Sequence, residues 1–359
     1  MAKKLQKNKL SEDTKKSMAT RSITAAVLVV LAVPAIIFGR WWFLIFCVVA
    51  LLMVIHEFIN APKNKSYSLF VHGFIYIMTF SFVFWIMIKN NLLNIENHDW
   101  ITTWSFDQGF WTQAKNADDV MKTSAGISVS TIGVVLTVFV LFFLSIIHKT
   151  FDITDVTYLF TMSVFIGISI QAVLFLRYFP EKAFFDANAI LTGDDMYNYT
   201  NYSTSLLLIY VIIGTFVTDA GAYFTGVLFG KRKMNERISP KKTWEGFVGG
   251  VVLSFGISFG FALICDSLGA PILPFLTKNE WYWILIISLM MPFIANLGDF
   301  IFSALKRHFN IKDYGTLLKG HGGVLDRVDS LLCVSLAVAI FVIFLHNGWD
   351  FLIWWKFYY

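Results

Sequence analysis

Long apolar stretches alternate with polar segments along almost the whole chain. Each stretch has roughly 17 or more residues, which is enough for one helix to cross a hydrocarbon core of roughly 30 Å. The stretches cover residues 22–39, 41–59, 67–88, 127–147, 156–176, 204–228, 246–265, 280–298 and 330–346. This pattern predicts an all-α, polytopic integral membrane protein with about nine transmembrane helices.

The composition excludes several other classes. Only 15% of the residues are charged, whereas a soluble domain has about 25%. The three cysteines form no CxxC pair, so neither a disulfide framework nor a zinc site is indicated. The net charge of +5 is modest, and its basic residues flank the apolar stretches, which argues against a nucleic-acid partner.

The first apolar stretch has two interpretations, a cleaved signal peptide or a first transmembrane helix. It is long for a signal peptide, and no small-residue cleavage site precedes Arg40, so we expect an uncleaved helix. With a cytoplasmic N-terminus, most of the 29 Lys and Arg residues fall in inside segments. The positive-inside rule predicts this orientation.

An acidic residue, Asp219, interrupts the apolar stretch 204–228. A carboxylate within a membrane helix is costly and points to function by default. The alternative is a structural Asp that accepts hydrogen bonds from another helix. Basic residues crowd the polar segment that follows, so we favour a functional role.

Three further carboxylates flank the polar segment between the last two apolar stretches. Asp326 and Asp329 are three residues apart and share one face of a helix, and Asp299 lies at the end of the preceding stretch, directly after residue 298. Together they could bind a hard cation such as Mg²⁺, which favours a few carboxylates plus substrate phosphates. The alternative for Asp326 and Asp329 alone is N-terminal capping of the last helix.

Basic and glycine residues surround these carboxylates in the same segment. The glycines permit a tight turn and close approach of the backbone to a phosphate. Cationic groups beside carboxylates at a membrane surface suit a polyphosphate substrate. The set consists of Lys306, Arg307, Lys312, Lys319, His321 and Arg327, with Gly320, Gly322 and Gly323.

A second basic segment precedes the stretch 246–265. Ser239 followed by Pro240 is typical of a helix start, with Ser as N-cap and Pro in the first turn. Lys241 and Lys242 would then lie in the first turn, where the helix dipole disfavours them unless an anion is bound. The alternative is ordinary flanking charge at the membrane surface.

Three motifs of the C-terminal part resemble the phosphatidate cytidylyltransferase family. The longest, S-A-L-K-R-x(4)-K-D-x-G-x(2)-L-x-x-H-G-G-x-x-D-R-x-D-S, runs from Ser303 to Ser330. D-A-G-A-Y-x-x-G-x-x-F-G-K begins at Asp219, and S-P-K-K-T-W-E-G begins at Ser239. Lys319 stands where the family usually has Pro. The resemblance covers about residues 204–346.

The resemblance implies that CTP and phosphatidate are converted to CDP-diacylglycerol and pyrophosphate. It further implies Mg²⁺ with room for a second cation, a homodimer, and a cavity open to the cytoplasm and to the bilayer. The expected metal ligands are Asp299, Asp326 and Asp329, with Asp219 as a further ligand or supporting group. The expected substrate-binding residues are Ser239, Lys241, Lys242, Ser303, Lys306, Arg307, Lys312, Gly322, Gly323 and Arg327. His321 would orient a phosphate or protonate the leaving group.

These expectations divide the chain into four parts. They are a basic cytoplasmic segment (1–21), N-terminal membrane helices with polar outside loops (22–203), the catalytic membrane core (204–346) and an aromatic tail (347–359). A bacterial plasma membrane is the expected location. The rival functions are a cytidylyltransferase or kinase for another lipid phosphate or polyprenol, and a membrane transporter. Small-residue spacings such as Gly246/Gly250 and Gly256/Gly260 fit either a dimer seam or packing within one subunit.

Overall fold

The fold is a bundle of long apolar helices with one short β-hairpin, seen in a computed structural model. The structure describes residues 27–63, 65–93, 129–148, 151–190, 205–273, 276, 278–318 and 322–347. The described helices are α1 (Val27–Phe38), α2 (Arg40–Ile59), α3 (Leu69–Leu93), α4 (Val129–Ile147), α5 (Ile153–Ile190), α6 (Leu206–Phe229), α7 (Trp244–Ser267), α8 (Tyr282–His308) and α9 (Leu325–Asn347). Strands β1 (Lys233–Asn235) and β2 (Ser239–Thr243) join α6 to α7. A 3₁₀ turn (Lys278–Glu280) precedes α8.

Six of the described helices, α2 and α5 to α9, are long and apolar enough to cross a membrane. The apolar parts of α1, α3 and α4 within the described residues are shorter. A multi-pass, all-α membrane protein is therefore confirmed, while nine spans and a cytoplasmic N-terminus stay predictions. The basic segment 1–21, most of the loop 89–126 and the tail from 348 lie outside the described residues.

Helices α6 and α7 pack unusually closely through their glycines. A Cβ added to Gly221 would lie 3.2 Å from the Cα of Gly250, and one added to Gly250 would lie 2.8 Å from the carbonyl oxygen of Thr218. These glycines therefore serve packing within one subunit, the second of the two interpretations above. Gly256 and Gly260 differ, because an added Cβ at either would meet nothing within 4 Å.

The segment predicted to begin a helix at Ser239 is instead strand β2, which pairs antiparallel with β1. That prediction was wrong, and Lys241 and Lys242 lie on a strand. Pro240 is tolerated there because a two-stranded hairpin has free edges. Helix α7 begins one residue after β2, and the hydroxyl of Thr243 caps it by accepting a hydrogen bond from Gly246 N. Threonine is a favoured N-cap.

Helix α8 continues ten residues past the predicted end of its apolar stretch, to His308. The polar residues after 298 therefore project from a helix instead of a loop. The last helix, α9, begins at Leu325, so Asp326 and Asp329 lie in its first turns as expected.

The N-terminal helices pack against the start of the polar segment that links α8 to α9. The ring of Tyr158 on α5 meets Phe309 at 4.5 Å between centroids, and its hydroxyl donates a hydrogen bond to Phe58 O at 2.9 Å. Phe165 contacts Phe302 on α8 at 5.8 Å between centroids. The buried interface ties the two halves of the chain together. The domain boundary near residue 203 stays a prediction.

Candidate active site

A cavity of about 550 Å³ lies between α6, the hairpin, α7 and α8. Its polar lining comes from α6, from both strands of the hairpin and from α8. It includes Asp219 on α6, Lys233 on β1, Ser239, Lys241 and Lys242 on β2, and Asn296 and Asp299 on α8. The sequence predicts each of these as a site residue except Lys233 and Asn296. The sequence predicts a functional role for Asp219 because it is an acid within an apolar stretch. The structure brings it to the same space as the lysines.

An ion pair in the cavity joins Lys242 to Asp299, with 2.6 Å between the Lys242 Nζ and Asp299 Oδ2 atoms. Both side chains are partly exposed, by 20% and 29%. The ammonium group also lies 4.5 Å from the centroid of the Phe300 ring and 3.4 Å from the Asn296 Oδ1 atom. Ser303 donates a hydrogen bond to Asp299 Oδ1 at 3.2 Å. The pair therefore faces the cavity with its position held from several sides.

Asn296 was missed in the sequence. It is buried, and its side-chain amide donates to the carbonyl of Pro292, one turn earlier. Pro292 follows Met291 inside α8, where a proline interrupts the backbone hydrogen bonds of the helix. A lone Asn in the apolar stretch 280–298 was the available signal, by the same reasoning that selected Asp219.

A second group of charges lies beside the cavity, between α8 and the start of α9. Lys306 Nζ is 2.9 Å from Asp326 Oδ1 and 3.9 Å from Asp329 Oδ2. The other oxygen of Asp326, Oδ2, accepts hydrogen bonds from Tyr314 N at 2.8 Å and Gly323 N at 2.9 Å. Both oxygens of Asp326 are thus engaged, and only 3% of its side chain is exposed. Asp326 fastens the polar segment to α9.

Tyr314 completes this group from above the Lys306 ammonium, which lies 5.6 Å from its ring centroid. Burial raises the pKa of the Tyr314 phenol, so its hydroxyl stays protonated at neutral pH. That hydroxyl donates to the Phe302 carbonyl at 3.4 Å. The group is enclosed by protein on this side.

Glu57 on α2 was also missed. Its two carboxylate oxygens accept hydrogen bonds from Val324 N and Leu325 N, both at 2.8 Å, at the N-terminus of α9. Gly315 and Gly323 press against the same carboxylate, where a Cβ would come within 2.5 and 2.3 Å of its oxygens. Gly323, expected to approach a phosphate, therefore packs against Glu57 and donates to Asp326.

The remaining predicted residues lie around these two groups. Arg307 donates to the Ile238 carbonyl at 3.3 Å and the Ile311 carbonyl at 3.2 Å, which links α8 to the hairpin. Lys312 and Arg327 are exposed, and Arg327 is close enough to Asp219 to interact with it electrostatically. Gly322 has a positive φ of 86°, a backbone conformation that favours glycine. His321 lies outside the described residues.

The carboxylates near the cavity fit a hard cation in part. Asp219, Asp299 and Asp329 are close enough to influence one another electrostatically. Within the described residues, no group of three His, Cys, Asp or Glu side chains has the geometry to hold a metal ion. Mg²⁺ commonly uses only one or two protein carboxylates together with substrate phosphates. Asp219 and Asp299 line the cavity and fit that requirement, whereas the side chain of Asp326 is buried and accepts two backbone amides.

The helices and the cavity define a multi-pass membrane protein with a charged pocket between its helices. The chain matches the model of the cytidylyltransferase family over residues 19–345. It therefore belongs to the cytidylyltransferase family, and the resemblance noted for its C-terminal part extends through the N-terminal helices.

Among the relatives similar to this chain, three named phosphatidate cytidylyltransferase show the extent of the match. The protein of Bacillus subtilis is 34% identical over 58% of this chain, that of Staphylococcus haemolyticus 38% over 39%, and that of Haemophilus influenzae 38% over 38%. These alignments span 66%, 50% and 45% of the relatives' own lengths. The chain thus matches about half to two thirds of each of these relatives.

Proposed function

We propose that this protein transfers the cytidylyl group of CTP to phosphatidate and forms CDP-diacylglycerol and pyrophosphate. The observation that carries the proposal is the cavity in which Asp219, Lys242 and Asp299 meet. Membership of the cytidylyltransferase family and the names of the relatives support the choice of substrates.

The chemistry requires two anions to approach one another. An oxygen of the phosphatidate phosphate attacks the α-phosphorus of CTP, a new P–O bond forms, and the bond from the α-phosphorus to the leaving pyrophosphate breaks. The nucleophile is already ionised near neutral pH, so the protein has no strong base to supply. Its task is to hold both substrates in line and to offset negative charge.

Lysines of the hairpin are suited to that task. Lys241 and Lys242 line the cavity from β2, and we assign them to the phosphates of CTP. Lys242 would exchange its contact with Asp299 for a phosphate oxygen. Lys306, held between two aspartates, would contribute positive charge from the neighbouring wall, with Ser239 and Ser303 as hydroxyl donors.

Mg²⁺ belongs to the proposal as the cation that neutralises phosphate charge when bound. Asp299 and Asp219 would hold it, with Asp329 behind them. Once Lys242 turns to a phosphate, Asp299 is left with its hydrogen bond from Ser303 and an oxygen free for a cation. A second cation has room only if the substrate supplies further ligands.

A lipid substrate is supported by the apolar part of the cavity. Tyr223, Val227 and Phe247 line it beside the carboxylates. Tyr223 and Val227 are 66% and 68% exposed, and on a membrane-spanning helix such side chains face lipid. The phosphate of a membrane lipid could therefore reach Asp219 while its acyl chains stay in the bilayer.

The proposal places the cavity at the cytoplasmic surface of a bacterial plasma membrane, where CTP is available. It also includes a homodimer, for which the face of α7 with Gly256 and Gly260 offers small residues and open space. Ser254 on the same helix is unsuitable for a cross-linking cysteine, because it is buried. Substituting exposed Ile257 with Cys should give a cross-linked dimer in membranes.

The decisive experiment is pyrophosphate release by the purified protein in lipid nanodiscs. Release should require CTP, phosphatidate and Mg²⁺ together, and CDP-diacylglycerol should appear in equal amount. Replacing phosphatidate by a polyprenyl phosphate tests the rival lipid substrate. No release with any lipid phosphate, or solute flux through the protein in vesicles without CTP turnover, would overturn the proposal.

A further inference from the structure

We propose that Glu57 is a positioning residue for the transfer reaction, although it lies on α2, far from the motifs in sequence. Its carboxylate holds the first turn of α9 and thereby fixes where Asp326 and Asp329 stand. The inference rests on the proposed function, in which Asp329 and Lys306 act beside the reacting phosphates.

Glu57 lies on α2 but caps the N-terminus of another helix, α9. One oxygen accepts from Val324 N and the other from Leu325 N, each at 2.8 Å. The first amides of a helix have no partner within the helix, and its N-terminal dipole favours a negative charge. Among the described residues, backbone amides are the hydrogen-bond donors to this carboxylate.

Two carboxylates together accept hydrogen bonds from the backbone amides at the start of α9. Glu57 takes the amides of residues 324 and 325, while Asp326 takes the amide of Gly323. Three consecutive amides are therefore fixed by two side chains that differ in origin. Because Asp326 also holds Tyr314 N and Lys306, a shift at residues 324 and 325 would displace this whole group.

The buried position of Glu57 makes its negative charge energetically costly. Glu57 is 2% exposed, and the glycines at 315 and 323 leave no space beside it. A buried carboxylate is retained only where hydrogen bonds or charge offset its desolvation. If this position served packing alone, Leu or Met would fill it without the cost of burying a charge. The acid therefore indicates that the two amides need to be held.

The test uses Glu57→Gln and Glu57→Asp in the full-length protein. Glutamine offers one acceptor oxygen and turns an NH₂ donor toward the second amide, whereas aspartate keeps the charge but is one methylene shorter. Both should lower kcat by about 10-fold to 100-fold, the usual effect of losing a partner that orients a functional group. The KM for CTP should change little, because Glu57 does not touch the cavity.

Hydrogen exchange gives a readout that does not depend on activity. Peptides covering residues 313–327 should exchange faster in both Glu57 variants than in the unmodified protein, while peptides from α6 and α7 stay unchanged. If the unmodified protein made no CDP-diacylglycerol, the proposed function would fail. Hydrogen exchange would still test whether Glu57 holds the first turn of α9.

Tyr158→Phe is the matched control. It removes a buried hydrogen bond to Phe58 O, one residue from Glu57, but leaves the first turn of α9 untouched. It should lower the melting temperature without changing kcat per folded molecule. Unchanged exchange at 313–327 in the Glu57 variants, or a kcat that falls only as much as in Tyr158→Phe, would overturn the inference.

Discussion

The same residue types are used differently in two neighbouring regions. In the cavity cluster, defined as Asp219, Lys242 and Asp299, the charged groups face open space and one another. In the loop cluster, defined as Glu57, Lys306 and Asp326, the carboxylates accept backbone amides and are almost fully buried. A buried carboxylate that accepts backbone amides maintains structure, whereas one that faces a cavity is available to a substrate or cation.

The comparison predicts its largest effect on stability for Asp326→Asn. The carboxamide cannot accept two amides and pair with Lys306 at once, so an ammonium is left buried without its main partner. Losing one member of a buried ion pair costs about 3–5 kcal/mol. Thermal unfolding in detergent should show a melting temperature many degrees lower.

Asp266→Asn is the control, since Asp266 is an exposed acid at the far end of α7. It should melt like the unmodified protein. A normal melting temperature with no activity in Asp326→Asn would contradict the structural role of Asp326. It would support instead the metal-binding role that the sequence predicts for this residue.

The next largest effect should be on the rate, in Asp299→Asn. This side chain is 29% exposed to the cavity, so the fold should tolerate the change. Loss of a charge that acts on the reacting phosphates should lower kcat by roughly 100-fold to 1000-fold. Pyrophosphate release at saturating CTP and Mg²⁺, normalised to folded protein, is the measurement. A loss of folded protein in proportion to the loss of rate would contradict the comparison.

Lys242→Met should have a smaller effect, and on CTP instead of the fold. A hydrogen bond to a charged group is worth about 1.5–3 kcal/mol, which corresponds to roughly a tenfold to hundredfold fall in kcat/KM for CTP. Lys231→Met, an exposed lysine next to the hairpin, is the matched control and should leave kcat/KM unchanged. Equal losses in both variants would mean that general positive charge, and not the contact in the cavity, attracts CTP.

The sequence predicted the cavity cluster better than the loop cluster, and the reason is physical. Asp219 and Asp299 stand out because an acid is costly in or beside an apolar helix. Nothing local separates a metal-binding Asp326 from one that holds backbone amides, because both need the same spacing of carboxylates. Its partner Tyr314 N is 12 residues away along the chain.

Two other features depended on contacts that the sequence does not contain. Glu57 bonds to residues 267 and 268 positions later, so its role requires the tertiary packing of α2 against α9. Ser239 and Pro240 are typical of a helix start, yet pairing with β1 overrides that preference. The helix positions were predicted more closely, because membrane thickness sets the length of each apolar stretch.

The smallest predicted effect concerns a third group of charges, between the segment after α2 and the start of α5. Lys65 Nζ lies 2.7 Å from both Asp152 Oδ2 and Asp155 Oδ2. Lys65→Met should lower the free energy of unfolding by only about 1 kcal/mol, because the lysine and Asp152 are substantially exposed. Asp155 is buried but keeps two other hydrogen-bond donors, the Tyr67 hydroxyl and Asp152 N. Activity should not change.

The pH dependence of that loss distinguishes an ion pair from lost packing. The hydrogen bond from Lys65 lowers the pKa of Asp152, so its contribution to stability is present above the ordinary aspartate pKa of about 3.9 and disappears as the pH falls through the folded-state value. Burial lowers the pKa of Lys65, but its hydrogen bonds to the two aspartates outweigh burial and raise it. The lysine's contribution is therefore complete below the ordinary lysine pKa of about 10.4 and disappears as the pH rises through the folded-state value.

The difference in melting temperature between Lys65→Met and the unmodified protein should be constant across the neutral range and shrink at strongly acidic pH. A difference that persists unchanged in acid would show that the aliphatic stem of Lys65, and not its charge, supports this junction.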